Sequence, residues 1–206
     1  MKITRIKPQR RSSRRLSVFL DGNYGFSLDE KTATRLGLQP GMELSQADVE
    51  RITKEEELAK AKEYAVLLLS YRARTVAEIR ERLKRKGFAE EIANAAIGWL
   101  VELKLLDDAK FAADFVEDRI KIGHKGKFRV KGELMKLGVE GKEIDRALED
   151  APDELPAARE LVKRFSPRYA KLEPAVRRRR LYALLARRGF SLDTIRAALD
   201  IAESGA

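Results

Sequence analysis

The 206-residue sequence contains no cysteine and only one histidine, His124. The absence of cysteine excludes disulfides, thiolate nucleophiles and cysteine-based zinc sites. A single histidine cannot build a multi-histidine metal cage and leaves little room for Ser-His catalysis. No apolar run approaches 18 residues, and no apolar stretch follows the basic N-terminus as it would in a secretory signal. We therefore expect a cytoplasmic protein that does not enter a membrane.

Acidic residues are the minority, with 33 against 43 basic residues and a net charge of +10. The excess lies in two places. Residues 1–15 carry seven basic and no acidic side chains, and residues 159–190 carry eleven basic and two acidic ones. Clustered positive charge is typical of proteins that bind polyanions or acidic protein surfaces. The plainer interpretation of the same pattern is a well-solvated surface.

Strand patterns are confined to the first part of the chain. Residues 15–20 alternate in polarity, Asp21-Gly22-Asn23 is a turn signal, and residues 24–28 run back, which predicts a β-hairpin. A short helix from about Asp29 to Leu36 should follow and end at Gly37. A hairpin is marginally stable alone, so this region needs neighbouring segments to pack on.

From about Ser45 onward the signals are helical. Ser45, Thr53 and Thr75 each begin a capping-box pattern, with an acidic residue three positions later. No strand pattern recurs beyond this point. The remainder of the chain is therefore predicted to consist of helices.

An internal repeat with a step of 51 residues is the strongest signal. Five positions keep matching chemistry in three copies: Ile79/Val130/Leu181, Leu83/Leu134/Leu185, Gly87/Gly138/Gly189, Phe88/Val139/Phe190 and Ile97/Leu148/Leu199. The Leu-x-x-x-Gly-apolar pattern predicts a Schellman helix ending, in which Gly takes the left-handed conformation and the leucine touches the residue after it. A second helix follows each ending, and a first helix precedes each pair, at about 54–71, 108–122 and 155–165.

The repeat predicts a mainly α fold of three tandem three-helix units in an elongated, curved array, after a small β-containing segment. The predicted boundaries are 1–52 for the N-terminal extension and 53–108, 109–152 and 153–206 for the three units. Such arrays present surfaces rather than enclose pockets. This organisation favours binding over catalysis, and we predict a non-enzymatic protein without a cofactor or metal.

A basic ridge is predicted on the middle helices of the units. Arg129 and Lys136 share one helix face, as do Arg180 and Arg187, while Arg85 is the single basic residue in the first unit. The helix dipole alone accounts for cations in a last turn, but not for Arg129 and Arg180 near helix starts. We predict that the ridge binds a partner together with the Arg177-Arg178-Arg179-Arg180 run.

An acidic group could instead indicate a metal-dependent nuclease. Its members are Asp107, Asp108, Asp114, Glu117 and Asp118. One of the first two occupies an N-cap position, and Asp114 and Asp118 face away from the apolar residues of their helix, so a solvated acidic face is the better interpretation. We also expect Tyr71 and Trp99 in the core and His124 in a loop.

In order and spacing, several fragments resemble the RecX family, over about residues 55–200. The fragments are Arg74-Thr75-x-x-Glu78, Leu83-x-x-Lys86-Gly87-Phe88, Leu105-Leu106-Asp107-Asp108-x-x-Phe111-Ala112, Gly126-x-x-Arg129-x-x-x-Glu133-Leu134 and Leu181-x-x-x-Leu185-x-x-x-Gly189-Phe190. Two features depart from the family pattern. Leu137 stands where the family tends to have Lys, and Pro167 and Pro174 lengthen the first half of the third unit.

The resemblance implies a monomeric protein that binds the RecA filament on single-stranded DNA and modulates its recombinase, ATPase and coprotease activities, chiefly by inhibition. That role would place it in DNA repair, recombination and the SOS response. Two alternatives stay open on the residues alone: a sequence-independent nucleic-acid-binding protein without a RecA partner, and the metal-dependent nuclease. Single- or double-stranded DNA is a candidate ligand in addition to the filament.

Overall fold

The computed structural model describes residues 1–9 and 12–204 of the protein, and Arg10 and Arg11 of the basic N-terminus lie outside the described residues. The chain divides into two compact parts, which do not coincide with the predicted three-helix units. One comprises Met1–Arg72 and Arg80–Leu103, and the other comprises Ala73–Ile79 and Lys104–Ala206.

The N-terminal region forms a three-stranded antiparallel sheet, β1 (Ile3–Gln9), β2 (Ser12–Leu20) and β3 (Asn23–Asp29), in the order β1-β2-β3. The predicted turn joins β2 to β3, with Asp21 and Gly22 both at positive φ, as a tight hairpin turn requires. The first helix, α1 (Glu30–Arg35), begins at the N-cap Asp29 and ends before Gly37, close to the predicted limits. The hairpin and short helix are confirmed, and β1 adds the third strand.

One face of the sheet is buried by the long helix α2 (Gln46–Tyr71). Val18, Phe26 and Leu28 pack in one cluster with Ile52 of α2. The buried carboxylate of Glu56 accepts a hydrogen bond from the Asp29 backbone N–H (3.1 Å). Its other oxygen pairs with the Arg15 guanidinium (3.0 Å). An ion pair with its hydrogen bonds satisfied thus attaches α2 to the sheet.

The capping box at Ser45 begins α2, with the side chains of Ser45 and Asp48 bonded reciprocally to each other's backbone N–H groups. The predicted helix start at Thr53 is wrong. The Thr53 hydroxyl instead donates back to the Val49 carbonyl (2.8 Å) inside a continuous helix. Inside a helix, a serine or threonine hydroxyl can donate to the backbone carbonyl one turn earlier, so a capping-box pattern does not by itself require a helix start. Helix α2 therefore begins eight residues before the predicted start.

Eight further helices follow in the described residues, and they match three units of three helices when α2 is counted first. Their bounds are α3 (Val76–Lys86), α4 (Glu90–Glu102), α5 (Asp108–Lys121), α6 (Lys127–Lys136), α7 (Gly141–Glu149), α8 (Leu155–Phe165), α9 (Pro174–Arg188) and α10 (Leu192–Ser204). A 3₁₀ turn, Ser166–Tyr169, extends α8 where the two prolines had indicated an altered first half.

The predicted helix ending occurs in all three copies, on α3, α6 and α9. Gly87, Gly138 and Gly189 have φ values of 94°, 77° and 82°. In each copy the N–H after the glycine donates to the leucine carbonyl five residues earlier, at 3.2 to 3.3 Å. Since Leu83, Leu134 and Leu185 are fully buried, the same ending stops the helix and seals its core contact.

Successive middle helices meet at junctions of one kind. At the first junction, the Thr75 hydroxyl at the start of α3 donates to the Leu137 carbonyl (2.7 Å) at the end of α6. At the second, the Gly126 N–H at the start of α6 donates to the Arg188 carbonyl (2.9 Å) at the end of α9. The helix endings of the second and third units therefore each form the surface on which the middle helix of the preceding unit begins.

An acidic residue closes each junction by capping the seated helix. Asp108, the first residue of α5, accepts from the Val76 N–H (2.9 Å). Glu154, which precedes α8 and is buried, accepts from the Lys127 N–H (2.7 Å) and from the Ser191 N–H (3.0 Å). A carboxylate at a helix N-terminus satisfies backbone donors that would otherwise be unpaired.

Backbones approach so closely at the second junction that Gly189 has no room for a side chain. A Cβ there would collide with the backbone nitrogen and Cβ of Arg129, whereas a Cβ on Gly87, which has the same backbone conformation, would meet nothing. Gly189→Ala should therefore add a steric clash to the cost of left-handed backbone. We expect a loss of more than about 2 kcal/mol in unfolding free energy for Gly189→Ala and about 1 kcal/mol for Gly87→Ala, measured by urea denaturation.

Gly132 is the matched control, because it lies inside α6 with open space around its Cα. Gly132→Ala should be neutral or stabilise the protein by up to about 1 kcal/mol, since alanine is the better helix former. Equal losses for the Gly189 and Gly87 variants would show that the close approach at the junction does not limit this position.

Candidate functional site

Helix α9 exposes three cations without partners. The side chains of Arg179, Arg180 and Arg187 are exposed, and no ion pair or hydrogen bond joins them to other residues of the described chain. The helix itself is anchored by buried Leu181 and Leu185. The fixed backbone therefore holds these guanidinium groups at a surface where only solvent or a ligand neutralises them.

The other two arginines of the basic run are placed differently. Arg178 forms an ion pair with Asp200 of α10 at 2.7 Å, so it contributes to packing within the third unit. Arg177 is half-buried and lines a groove between α8, α9 and α10. The structure thus separates a run that looks uniform in sequence into three environments.

Arg129 has a structural role at the junction between α6 and α9. Its Nε donates to Glu133 Oε1 (3.1 Å), and one terminal nitrogen donates to the Arg187 carbonyl (3.3 Å). A carbonyl at the end of α9 carries the negative end of the helix dipole, which attracts a cation. The charge that seemed out of place at a helix start is therefore explained by the end of another helix.

The Glu133 carboxylate forms ion pairs with Lys125 and Arg119 as well as with Arg129. Lys125 Nζ lies 2.8 and 2.9 Å from its two carboxylate oxygens, and Arg119 Nε lies 3.4 Å from one of them. Partial burial acts to raise the pKa of Glu133, but the hydrogen bonds and charges of Lys125 and Arg129 outweigh it and lower the pKa below its ordinary value. Glu133 therefore partly neutralises the positive charge of Arg129 in the predicted ridge.

Lys136 and Arg85 lie in the last turns of their helices, as the dipole favours. Lys136 is exposed, and no described acidic side chain pairs with it. Arg85 is also exposed, but its Nε is 2.7 Å from Glu81 one turn earlier. Among the predicted binding residues, the exposed side chains without a partner in the described chain are therefore Lys136, Arg179, Arg180 and Arg187, whereas Arg85 is held by a weak surface pair.

The sequence analysis missed two exposed aromatic side chains on α6 and α9, the helices that carry these cations. Phe128 is 69% exposed on α6, next to Arg129, and Tyr182 is 40% exposed on α9, two residues after Arg180. Met135 continues the Phe128 face and is 62% exposed. A signal was present: Phe128 corresponds to Arg179 in the 51-residue repeat, and a position that alternates between aromatic and charged chemistry cannot belong to the shared core.

Two expectations about aromatic burial need correction. Tyr71 is 75% exposed, because it is the last residue of α2 and the helix ends there. Trp99 is only half-buried, and the Lys62 ammonium lies 4.7 Å from its ring centroid. His124 does lie in the loop between α5 and α6, with a φ of 47°.

Residues of the predicted acidic group have separate structural roles and do not form one site. Asp107 is the N-cap of α5, Asp108 caps α3, and Asp114 pairs with Lys110 at 3.3 Å. Desolvation raises the pKa of Asp108, against the hydrogen bond from the Val76 N–H. Within the described part of the chain, no three histidine or acidic side chains are grouped so that they could hold a metal ion.

Among the described residues, no helix has the length and apolarity needed to cross a bilayer.

A small antiparallel sheet followed by three-helix units that expose unpaired cations defines a helical-repeat protein with a positively charged surface. Family models match the whole of this organisation. The model of the regulatory protein RecX N-terminal domain matches residues 1–45, and those of the first, second and third RecX three-helix domains match residues 61–100, 107–148 and 153–199. The chain belongs to the RecX family of regulatory proteins.

Relatives and solved structures agree with this assignment. The regulatory protein RecX of Lactobacillus delbrueckii subsp. bulgaricus is 35% identical over 191 residues, which cover 92% of this chain and 70% of that protein. That of Bacillus subtilis is 32% identical over 200 residues, covering 96% and 76%. A crystal structure of regulatory protein RecX has a TM-score of 0.75 and 28% identity, covering 97% of this chain and 98% of that one.

The Glu133 cluster predicts an acid-sensitive contribution to stability. A carboxyl whose pKa is lowered by folding stabilises the protein at pH values above its ordinary pKa, and that contribution disappears as the pH falls through the folded-state pKa. Glu133→Gln should therefore lower the unfolding free energy by about 1 kcal/mol at pH 7 and by progressively less in acid, measured by urea denaturation across pH. Glu117→Gln, on an exposed face, is the control. A pH-independent difference for Glu133→Gln would contradict this assignment.

Proposed function

We propose that this protein is a non-enzymatic, monomeric, cytoplasmic regulator that binds the RecA filament on single-stranded DNA. It modulates the recombinase, ATPase and coprotease activities of the filament, chiefly by inhibition, and thereby acts in recombination, DNA repair and the SOS response. Membership of the RecX family supports this proposal, and the curated relatives are named regulatory proteins.

The observation that carries the proposal is the set of unpaired exposed cations on helices fixed by a shared junction. A nucleoprotein filament is strongly anionic, so a fixed array of cations accelerates encounter and makes binding sensitive to salt. Tandem units can engage neighbouring protomers, and several weak contacts then act together through effective concentration. Repeated units and exposed cations thus support the same kind of target.

Within the proposed binding face the predicted residues divide by role. Exposed contacts to the filament are assigned to Lys136, Arg179, Arg180 and Arg187, and more weakly to Arg85. Arg129 and Arg178 support that surface or its neighbourhood through their contacts inside the protein, whereas Arg177 lies half-buried at the neighbouring groove. We retain 1–52, 53–108, 109–152 and 153–206 as the proposed functional segments.

The proposal predicts inhibition at low stoichiometry. The ATPase rate of RecA on excess single-stranded DNA should fall when the protein is present well below one copy per RecA. Excess DNA prevents competition for DNA sites from imitating regulation. The variant in which Lys136, Arg179, Arg180 and Arg187 are all replaced by Gln should need at least tenfold more protein for the same inhibition, with a shallower dependence on salt.

A variant with the same change in charge provides the control: Lys2, Lys31, Arg80 and Lys104, all exposed, replaced by Gln. It should inhibit as the unmodified protein does. If both variants lose inhibition equally, the effect belongs to net charge and the assigned face is wrong. If the unmodified protein leaves the ATPase rate unchanged, RecA restraint is not its function.

Direct binding of single-stranded nucleic acid is a second candidate function, favoured by Phe128 and Tyr182. Aromatic side chains beside cations form platforms on which unpaired bases stack, and the cations neutralise the adjacent phosphates. The Phe128 ring is exposed on the same helix as unpaired Lys136. This second function predicts that the protein binds oligonucleotides tightly in the absence of RecA.

Phe128→Ala tests the stacking role. Loss of one stacked base should weaken binding to an oligothymidylate by about fivefold or more, while the slope of affinity against salt stays the same because no phosphate contact is lost. Phe128→Tyr should preserve binding. Ile122→Ala, at another exposed apolar position, should have no effect. Unchanged affinity for Phe128→Ala, measured by fluorescence anisotropy, would remove this ring from any nucleic-acid site.

A further inference from the structure

A groove of about 490 Å³ lies within the third unit, between α8, α9 and α10. Its floor is aliphatic and includes Val162 of α8, Pro167 of the 3₁₀ turn and Ala198 of α10. Ile201 also lines the groove and is 45% exposed. The volume is in the range of protein binding pockets, and the apolar lining leaves carbon surface in contact with water.

Three cations surround this apolar floor without compensation. Arg159, Lys163 and Arg177 line the groove, and no ion pair or hydrogen bond joins their side chains to the rest of the described chain. Among the described lining residues Glu160 is the one acidic side chain, so these residues carry a net positive charge. By contrast, nearby Arg178 is neutralised by Asp200.

The combination of an aliphatic floor and a cationic rim selects a particular ligand chemistry. Nucleic acid would satisfy the cations, but none of the described lining residues is an aromatic on which a base could stack, and phosphates gain nothing from an aliphatic floor. An amphipathic helix satisfies both requirements, because its apolar residues at i, i+3, i+4 and i+7 fill the groove while acidic residues flank them.

We infer that this groove is a docking site for an acidic amphipathic helix of a partner protein. Arg159, Lys163 and Arg177 pair with carboxylates on the two sides of that helix, and its aliphatic side chains cover Val162, Ala198 and Ile201. The groove is separate from the exposed cations of α9 that the proposed function assigns to the filament. One chain then offers two surfaces, for a nucleoprotein and for an acidic peptide segment.

The test uses the full-length protein and a fluorescein-labelled 18-residue synthetic helix with leucine along one face and glutamate elsewhere. A second peptide carries glutamine in place of glutamate. We expect the glutamate peptide to bind at least tenfold more tightly than the glutamine peptide at 0.1 M salt, by fluorescence anisotropy. Equal affinities would overturn the inference, because the rim cations would then contribute nothing.

Variants locate the site. Arg159→Gln, Lys163→Gln and Arg177→Gln together, or Ile201→Glu alone, should weaken binding of the glutamate peptide at least tenfold. The matched control replaces Arg164, Arg168 and Lys171 by Gln, which removes equal charge from the same unit outside the groove lining. Urea denaturation of every variant confirms that it is folded, and the rim and Ile201 variants report independently of each other.

Three results would overturn the inference. One is equal weakening by the control variant, and another is displacement of the peptide by an oligothymidylate, which would make the groove a nucleic-acid site. The third is self-association abolished by Ile201→Glu in sedimentation, which would make a second copy the occupant. The binding assay contains no RecA, so loss of ATPase inhibition with peptide binding intact would contradict the proposed function alone.

Discussion

The close approach of a helix start to a glycine turn is the constraint on which the helical units depend. The start of α6 lies against Gly189 with no space for a side chain, and the start of α3 meets Gly138 in the same way. Bonds between backbone groups, or from a hydroxyl to a backbone carbonyl, hold both contacts. A helix ending that only stopped a helix would tolerate some variation. Here it also forms the surface on which another helix begins, so Gly138 and Gly189 are required both for their backbone conformation and for the space that a side chain would fill.

Acidic residues complete these junctions: Glu154 is buried and Asp108 is half-buried. Asp108 and Glu154 each cap the middle helix of the preceding unit, at Val76 and Lys127, which are themselves one repeat apart. Glu56 has the corresponding duty between α2 and the sheet. In every case backbone N–H donors or a basic side chain accompany the carboxylate, so that burial does not leave a charge uncompensated.

The junctions also decide which cations remain available. Arg129 and Lys125 are engaged around Glu133 at the second junction, whereas Arg179, Arg180 and Arg187 extend from α9 without partners. The positive charge of the protein is therefore of two kinds, one that holds units together and one directed at solvent. Only the second kind is available to a polyanion, and the same distinction separates Arg177 at its groove from Arg178 at Asp200.

Sequence reasoning succeeded where a physical rule acts over a few residues. The leucine-glycine spacing predicted the three helix endings, and the polarity pattern with Asp21-Gly22 predicted the hairpin. It failed where one local pattern fits two structures, or where the position of a helix end decides burial. The start of α2 was misplaced because Thr53 follows a capping pattern inside a helix, and Tyr71 was assigned to a core from which the end of α2 removes it.

The sequence by itself determined the repeat, its helix stops, the sheet-forming segment and the location of the charge excess, because periodicity, glycine conformation and composition are local properties. Tertiary structure alone decided what each charge does. The step from Asp108 to Glu154 is shorter than the 51-residue repeat, so no internal alignment identifies them as equivalent caps. Nor does spacing reveal that Arg129 reaches a carbonyl 58 residues away, while Phe128 beside it faces solvent. Those assignments depend on which helix end lies against which, and only the packed chain fixes that.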